Sequence, residues 1–390
     1  MDKIRMGIIG IGNMGSGHAK NIVEGKCPEI ELAAVCDINP DRLQWAQENL
    51  PATVERFDDA IKMMESGKID AVIVSIPHYF HPQYAMEGFK HHLHVMCEKP
   101  AGVYTKQVRE MNEAAAKADV TFAMMFNQRT NCVYRKMKEI VSSGEMGAIR
   151  RTNWIITNWF RSQSYYDSGA WRATWEGEGG GVLLNQCPHN LDLWQWICGM
   201  PNKVRAFCHN GKWHDIEVED DVTAYVEYPN GATGVFVTTT SDAPGTNRFE
   251  IDLDKGQLVC DGKKLIKREL NMSIPEFHKT YKGGFGSPEV TETEVETDGE
   301  NLQHVGVLRA FTNKILGRGE LIADGAEGVN GLTISNAMHL SSWLDKTIEL
   351  PLDEDLFLEE LNKRRATSRL KKNVEEVTFD TSSSYAGTKK

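Results

Sequence analysis

Short apolar runs alternate with stretches of helical periodicity through roughly the first 125 residues of the chain. The apolar runs predict strands over 5–9, 32–36, 71–76, 94–97 and 120–125. Helical periodicity lies between them, over 15–24, 41–49, 84–90 and 105–117. Because strands that alternate with helices are joined by right-handed crossovers, this pattern predicts a parallel sheet with helices on both faces.

The pattern changes near residue 150, where longer strands follow one another with few helices between them. These strands are predicted over 151–158, 204–208, 222–228, 232–240, 249–253 and 257–260. Pro229-Asn230-Gly231 separates two of the runs and is a strong hairpin signal. We therefore expect a mostly antiparallel sheet, which can leave one face open to water or to a partner subunit. A late helix is predicted over 331–344.

Composition and charge narrow the class of partners. The chain has 390 residues, and its length favours two domains over one. Its net charge of -11 disfavours nucleic acid and anionic membranes, which would repel an acidic surface. No apolar run approaches the ~20 residues of a membrane helix. The N-terminus enters a strand without a signal-peptide pattern, so a cytoplasmic location is expected.

The cysteine and histidine patterns do not predict a metal site. The eight cysteines are scattered and none has CxxC spacing, which indicates reduced, mostly buried thiols. His91, His92 and His94 lie close together, but no matching cysteine or carboxylate cluster accompanies them.

The first predicted strand runs into a glycine loop, Gly10-Ile11-Gly12-Asn13-Met14-Gly15. This loop has the context that its spacing requires, since it follows a strand, opens a helix, and precedes Asp37 at the end of the next strand. The first glycine permits a tight turn, the second admits a pyrophosphate, and the third lets helix and strand pack closely. Free N–H groups at the helix start favour phosphate, so a dinucleotide site is predicted.

Asp37 also discriminates between the two nicotinamide dinucleotides. Its carboxylate would accept hydrogen bonds from the adenosine ribose hydroxyls and repel a 2'-phosphate, which favours NAD over NADP. Arg42 is the residue that opposes this preference, because its guanidinium could stack on adenine or reach a phosphate.

Further motifs follow the glycine loop in a fixed order. They are Ser75-Ile76-Pro77 with His81, Glu98-Lys99-Pro100, Asn127-Gln128-Arg129, Trp171-Arg172, Gly179-Gly180-Gly181 leading to His189 and Asp192, and Ala323-Asp324-Gly325 with Glu327. From about residue 4 to residue 350 the chain resembles the glucose–fructose oxidoreductase / inositol dehydrogenase family (Gfo/Idh/MocA).

The resemblance implies an α/β fold with an N-terminal Rossmann domain, a doubly wound parallel sheet, and a C-terminal α+β domain with a large, mostly antiparallel open sheet. We expect the NAD-binding domain over 1–126, a substrate and oligomerisation domain over 127–352, and a charged C-terminal tail or arm over 353–390. The resemblance also implies a homodimer or homotetramer formed through that sheet, and a cis peptide bond between Lys99 and Pro100.

The resemblance implies oxidation of a secondary alcohol of a sugar, glycoside or cyclitol, or the reverse reduction, with hydride passing to or from nicotinamide. By this match His189 is the acid/base, a role that suits histidine because its ordinary pKa lies near neutrality. Lys99 would orient the hydroxyl and stabilise developing alkoxide charge. Glu98 would fix the position of the backbone or the nicotinamide.

Two sets of contacts are predicted. Residues expected to contact NAD are Gly10, Ile11, Gly12, Asn13, Met14, Gly15, Asp37, Arg42, Ser75, Ile76, Pro77, His81, Glu98, Lys99, Asn127, Trp171 and Arg172. Residues expected to contact the carbohydrate or polyol substrate are Lys99, Asn127, Tyr165, Tyr166, Arg172, Asn185 and His189.

Asn185 is a departure from the pattern of the family. Many of its sugar and inositol dehydrogenases carry Asp four residues before the histidine, on the same helix face. An amide cannot stabilise an imidazolium by charge. His189 could therefore act with Lys99 alone, or with Asp192 three residues later.

Aromatic residues are dense between positions 154 and 175. Aromatic faces pack against the C–H faces of sugar rings, so this segment is interpreted as a wall of the substrate pocket. Trp154 lies in a predicted strand and is expected in the core, whereas Tyr165, Tyr166 and Trp171 lie in a loop. The glycine-containing loop over 274–288 is predicted to form a flexible rim of the pocket.

Two other functions use the same residues. The site could oxidise a glycoside transiently, eliminate the aglycone and return the hydride, which would make the protein a glycosidase with recycled NAD. It could also be a non-catalytic NAD-sensing regulator, although the presence of both Lys99 and His189 argues against that function.

Overall fold

The first domain is a six-stranded parallel sheet with helices on both faces. The computed structural model describes residues 3–369, 371 and 374. The strands are β1 (Ile4–Ile9), β2 (Ile30–Cys36), β3 (Glu55–Phe57), β4 (Ala71–Val74), β5 (His94–Cys97) and β6 (Phe122–Met124), in the order β3-β2-β1-β4-β5-β6. The helices are α1 (Asn13–Val23), α2 (Pro40–Asn49), α3 (Ala60–Glu65), α4 (His81–Lys90) and α5 (Thr105–Lys117).

This strand order reverses direction between β1 and β4, which are neighbours in the sheet. Ligands of open α/β sheets bind in the crevice at such a switch point, outside the carboxyl ends of the strands. The glycine loop follows β1 and Ser75 follows β4, so both lie at this crevice. The predicted parallel Rossmann sheet is confirmed.

The second domain is built on a nine-stranded, mostly antiparallel sheet. Its strands are β7 (Ile149–Ile156), β8 (Lys203–Asn210), β9 (Glu219–Glu227), β10 (Thr233–Thr239), β11 (Asn247–Leu253), β12 (Gly256–Cys260), β13 (Leu265–Leu270), β14 (Val290–Glu294) and β15 (Ile348–Glu349). The order is β14-β13-β12-β11-β7-β10-β9-β8-β15, in which β7 and β10 pair in parallel. The hairpin predicted at Pro229-Asn230-Gly231 joins β9 to β10, which confirms it.

Seven further helices follow the first domain in the described part of the chain. They are α6 (Cys132–Ser143), α7 (Gln163–Tyr166), α8 (Pro188–Cys198), α9 (Ile274–Thr280), α10 (Gln303–Ile315), α11 (Gly328–Leu344) and α12 (Glu354–Arg365). Helix α11 packs against α8 and β8 and covers one face of the sheet. Its central residues are buried on all sides, so an amphipathic pattern is absent from its sequence.

Helix α10 belongs structurally to the first domain although it lies late in the chain. Its buried residues Val307, Leu308 and Phe311 share a core cluster with Ile8 and Ala19. The chain thus returns to the Rossmann domain after eight of the nine strands of the large sheet, and β15 joins that sheet later. The predicted boundary at residue 126 therefore separates the two domains along the sequence, but the hydrophobic core of the first domain also includes residues of α10.

The segment predicted as a charged tail from residue 353 begins with a packed helix. Phe357 and Leu361 of α12 are buried, because the charged positions of this helix face outward while these two side chains pack inward. Beyond the helix, Ser368 donates to the carboxylate of Glu217 and Lys371 to that of Asp167. The remainder of the predicted tail lies mostly outside the described residues. Within the described part of the chain, no helix is long and apolar enough to cross a membrane.

Candidate active site

The glycine loop has the shape that a dinucleotide phosphate requires. Gly10 has a φ of +82°, and a Cβ there would lie 2.2 Å from the carbonyl oxygen of Ser75. A Cβ at Gly15 would lie 1.8 Å from the carbonyl oxygen of Gly10, so helix and loop pack too closely for a side chain. At Gly12 a Cβ would meet nothing within 4 Å. The middle glycine therefore faces open space at the start of α1, where a pyrophosphate would fit.

Asp37 and Arg42 hold the glycine loop from the end of β2. The Asp37 carboxylate accepts from the backbone N–H groups of Ile11 and Asn39, each at 2.9 Å. Arg42 donates to the carbonyl oxygen of Ile11 and lies over the ring of Trp45. The Arg42 guanidinium is thus engaged with the protein, while each carboxylate oxygen of Asp37 keeps a lone pair for a ribose hydroxyl.

Ile38, next to Asp37, is 89% exposed. An apolar side chain at this edge of the crevice offers a surface on which an adenine ring could pack. The sequence interpretation overlooked it, because a single isoleucine after a strand carries no distinctive signal.

His81 supports the loops around the crevice from behind. It is 1% exposed, and each of its ring nitrogens lies 2.7 Å from a backbone carbonyl oxygen, one of Pro100 and one of Ile76. The histidine therefore fixes the loops after β4 and β5, and a direct ring contact with NAD, as expected from the sequence, is not what this geometry offers. The Lys99–Pro100 peptide bond is cis, as the resemblance implies.

Glu98 is held by a buried histidine pair. Its Oε1 lies 2.6 Å from Nε2 of His18 on α1, and the ring of His18 packs against that of His304, with centroids 5.4 Å apart. Burial alone would raise the pKa of Glu98, but the hydrogen bond and charge of His18 lower it to about 2. Burial lowers the pKa of His304 to about 4. The carboxylate is therefore anionic and lies directly beside Lys99.

Lys99 points from the end of β5 towards the second domain. Its Nζ donates to the backbone carbonyl oxygen of Asn185 at 2.9 Å. Burial lowers the pKa of Lys99, and the neighbouring Glu98 and Glu178 carboxylates oppose that shift. The Lys99 ammonium thus lies partly buried where the end of β5 meets the loop before α8.

His189 lies in the first turn of α8 and is 2% exposed. Its ring packs edge-on against Phe126, with centroids 6.3 Å apart. Burial, and then the nearby ammonium of Lys99, hold the pKa of His189 well below its ordinary value. The structure therefore brings the two predicted catalytic residues together, with the imidazole neutral at physiological pH.

The loop that leads to α8 is fixed by a carboxylate at the start of β9. Glu219 accepts from the backbone N–H of Gly181 at 2.9 Å and from that of Leu183 at 3.0 Å. A Cβ at Gly181 would lie 2.0 Å from the Glu219 carbonyl oxygen, which explains why a glycine stands there. The glycine run thus serves close packing, and it positions the helix that carries His189.

Asp192, three residues after His189, faces a buried arginine. Both of its carboxylate oxygens accept from the guanidinium of Arg129, at 2.7 and 2.8 Å, and both side chains are 1% exposed. Gln195 donates to the same carboxylate, and Glu327 forms a second ion pair with Arg129. The charge of Asp192 is thus compensated by a buried arginine, which favours the alternative in which His189 acts with Lys99 alone.

Asn185 has a carboxylate partner that the sequence interpretation missed. Its Nδ2 donates to Oε1 of Glu178, a residue that is 2% exposed. The Oε2 of Glu178 accepts from the backbone N–H of Ala173 at 2.6 Å. Burial raises the pKa of Glu178, and the charge of Arg172 opposes this shift.

Tyr165, which is predicted to contact the substrate, lies beside Asn185. Its hydroxyl lies 3.1 Å from the Arg172 guanidinium and 3.4 Å from Oδ1 of Asn185. The Arg172 guanidinium also lies over the rings of Trp171 and Tyr165, and the Arg161 guanidinium lies over the ring of Tyr165 as well. Two guanidinium groups therefore flank the tyrosine beside Asn185.

Tyr166 lies outside this pocket. It is 2% exposed, and its hydroxyl donates to Oγ1 of Thr240 at 2.7 Å. The expectation that both tyrosines contact substrate is therefore wrong for Tyr166, since adjacent residues in a helical turn point in different directions. Trp154 is fully buried and stacks on Phe249, which confirms its predicted core position.

Asn127 lies beneath the crevice and is fully buried. Its Nδ2 donates to Gln303 at the start of α10, while its Oδ1 has no hydrogen-bond partner among the described residues. A buried amide oxygen without a partner fits a site that completes itself with a ligand donor. Gln303 and His304 were missed from the sequence because α10 was not predicted.

The loop over 274–288 lies away from the site. It includes α9, which connects β13 to β14 at the outer edge of the large sheet. Its Tyr281 stacks on Phe277 instead of on a pocket wall. Within the described residues, no group of three or more histidines, cysteines or carboxylates converges as metal ligands would.

Comparison with known proteins agrees with this geometry. Residues 4–126 match the family model described as "Oxidoreductase family, NAD-binding Rossmann fold", and residues 134–259 match the GFO/IDH/MocA C-terminal domain. The D-glucoside 3-dehydrogenase of Escherichia coli is 24% identical over 89% of this chain and 97% of its own length. The myo-inositol 2-dehydrogenase of Thermotoga maritima is 27% identical over 66% of this chain and 75% of its own.

Solved structures give the same result. The WlbA dehydrogenase of Bordetella pertussis, in complex with NADH and UDP-GlcNAcA, superposes with a TM-score of 0.77 at 26% identity, covering 90% of this chain and 99% of that one. A levoglucosan dehydrogenase in complex with NADH shares the fold, with a TM-score of 0.75 at 18% identity and coverage of 90% and 100%. The chain is thus an NAD-binding oxidoreductase that belongs to the Gfo/Idh/MocA family.

Proposed function

We propose that the protein is an NAD-dependent dehydrogenase that acts on a secondary alcohol of a sugar, glycoside or cyclitol. The observation that carries this proposal is the convergence of Lys99 and His189, from different domains, beside the dinucleotide loop. Relatives named for inositol and glucoside oxidation support this substrate class.

NAD, when bound, supplies the two-electron acceptor for the hydride that leaves the carbinol carbon. The glycine loop and Asp37 would hold its pyrophosphate and adenosine ribose. The neutral His189 ring would accept the hydroxyl proton, because its lowered pKa keeps the imidazole in its base form at physiological pH. Lys99 would donate to the same oxygen and stabilise the negative charge that develops there.

The direct test combines a substrate panel with two variants. NADH absorbance is followed over sugars, glycosides and inositols with the wild-type protein. Lys99→Ala and His189→Ala should each lower turnover by about 100-fold or more, while NAD affinity changes little. His278→Ala, on the exposed helix α9, is the matched control and should behave as wild type. Near-normal turnover in both active-site variants would refute the assignment.

Product analysis distinguishes net oxidation from a recycling reaction. A dehydrogenase releases a ketone and NADH in equal amounts. Cleavage of a glycoside without net NADH would instead identify a glycosidase that returns the hydride to its product. Absence of redox activity on the whole panel, together with tight NAD binding, would favour a regulator.

We also propose that the open face of the large sheet joins two subunits. A row of side chains crosses four strands on this face, because Phe207 pairs with Thr223, Thr223 with Val237, and Val237 with Ile155. Phe207 is 52% exposed and Ile155 is 40% exposed. Exposed apolar rows of this kind mark interfaces.

Light scattering after gel filtration tests this interface. The wild type should have the mass of a dimer or tetramer, and Phe207→Glu with Ile155→Glu should shift it to a smaller species. Elution of the wild type as a monomer at micromolar concentration would contradict the proposal.

A further inference from the structure

Glu178 is a buried carboxylate that the mechanism above leaves without a role. It precedes the glycine run at 179–181 and lies seven residues before Asn185. Its two oxygens face two N–H donors, the side-chain amide of Asn185 and the backbone of Ala173. Burying a carboxylate is costly unless its oxygens accept hydrogen bonds, and here both do.

This arrangement determines which way the Asn185 amide faces. Both oxygens of Glu178 act as acceptors, so the Nδ2 of Asn185, and not its Oδ1, faces Glu178. The Oδ1 of Asn185 then faces the Tyr165 hydroxyl in the pocket, at 3.4 Å. The backbone carbonyl oxygen of the same asparagine accepts from Lys99 Nζ. One residue thus connects Glu178 to both the pocket wall and the catalytic lysine.

We propose that Glu178 is a positioning residue for the active site and acts through Asn185. It holds the asparagine with its amide oxygen towards the substrate, as an acceptor for a hydroxyl, and its backbone carbonyl against Lys99. The inference rests on the proposed dehydrogenase function. It also places at position 178 the carboxylate that the chain lacks at position 185.

Exchanging the carboxylate and the amide tests this role. In Glu178→Gln, one side-chain oxygen becomes an NH₂ group, which either faces an N–H donor or makes the Asn185 amide turn over, so that its Nδ2 and not its Oδ1 faces the pocket. In Asn185→Asp, two carboxylates face each other. Each single variant should lower kcat/KM by about tenfold or more. The double variant restores alternating donors and acceptors, and its kcat/KM should return to within about fivefold of wild type.

Glu176→Gln is the matched control. It also removes a carboxylate charge, two residues before Glu178, but this carboxylate forms an exposed ion pair with Arg365. Its kcat/KM should remain within about twofold of wild type. A wild-type kcat/KM in Glu178→Gln, or a double variant no better than the single variants, would overturn the inference. If a single variant fails to fold, the double variant decides by whether it folds and turns over.

Thermal unfolding without NAD or substrate provides a readout that does not depend on turnover. Both single variants should unfold at lower temperature than wild type, and the double variant should recover most of the loss. Strictly additive losses would show that positions 178 and 185 are not coupled and would overturn the proposal. If the wild type oxidises no polyol, the proposed function fails, and this cycle still decides whether the pair exists.

Discussion

Replacing Asp192 by Asn should destabilise the protein while leaving its chemistry nearly intact. The substitution removes the charge that compensates Arg129, and both side chains are 1% exposed. Breaking a buried ion pair by removing one partner costs about 3–5 kcal/mol, because the other charge stays buried and uncompensated. The second ion pair of Arg129, with the partly exposed Glu327, remains in the variant. We therefore expect the free energy of unfolding of Asp192→Asn to fall by about 3 kcal/mol, the lower end of that range.

Thermal and urea unfolding of Asp192→Asn measure this loss. For a domain of this size, about 3 kcal/mol corresponds to a fall of about 6–12 °C in Tm. Asp355→Asn is the control, since it removes an exposed partner of Lys106, and it should change stability by less than about 1 kcal/mol. Turnover of folded Asp192→Asn at 25 °C should stay within a few-fold of wild type.

The opposite pattern would refute this reasoning. If Asp192 were the partner that carries the proton from His189, the variant would keep its Tm and lose turnover by about 100-fold. An unchanged Tm by itself would show that the Arg129 pair contributes nothing to stability, contrary to the burial of both groups.

Three further predictions follow from single contacts. Gly12→Ala should fold normally but bind NAD at least about tenfold more weakly in a fluorescence titration, and an NAD affinity equal to that of wild type would contradict this prediction. Gly10→Ala should instead lower Tm, because the added Cβ would clash with the backbone. Tyr165→Phe should raise KM without loss of stability, and Tyr166→Phe should cost about 1 kcal/mol of stability without a change in KM. Glu98→Gln should lower the free energy of unfolding by a few kcal/mol at pH 7, because the pKa of Glu98 is lowered to about 2 in the folded protein. In urea titrations, the difference in unfolding free energy between this variant and wild type should shrink as pH falls below about 4.5. A difference that stays constant with pH would contradict this prediction.

The Rossmann domain could be predicted from the sequence because its signals are local. The buried strand Ala71–Val74 is entirely apolar, and the glycine loop lies directly after β1. Strand β3 and helix α3 were missed because their segments are short, and β3 carries two charged residues, Glu55 and Arg56.

The candidate site could be predicted only where one residue type carries the chemistry by itself. Lys99 and His189 are such residues. Glu178 and His304 are not, because each gains its role from a contact that its own residue type does not reveal, Glu178 with the Asn185 amide and His304 with His18, which is distant in sequence. The contacts of Asp192 could not be predicted either, since its position three residues after the histidine gives no information about its partner Arg129, which is distant in sequence.

Two buried carboxylates, Glu178 and Asp192, lie on either side of His189 in the sequence, and their neighbours give them opposite roles. Asp192 faces a guanidinium that is itself buried, so the negative charge of Asp192 is compensated by Arg129 within the fold. Glu178 accepts hydrogen bonds from two uncharged N–H donors. Its carboxylate also interacts electrostatically with Lys99 and Arg172. Asp192→Asn should therefore affect Tm more than kcat/KM, and Glu178→Gln should affect kcat/KM more strongly than Asp192→Asn does. Both variants can be measured on one substrate. If proximity to the histidine in sequence determined the function of a carboxylate, and not its hydrogen-bond partner, Asp192→Asn would lower kcat/KM more than Glu178→Gln does.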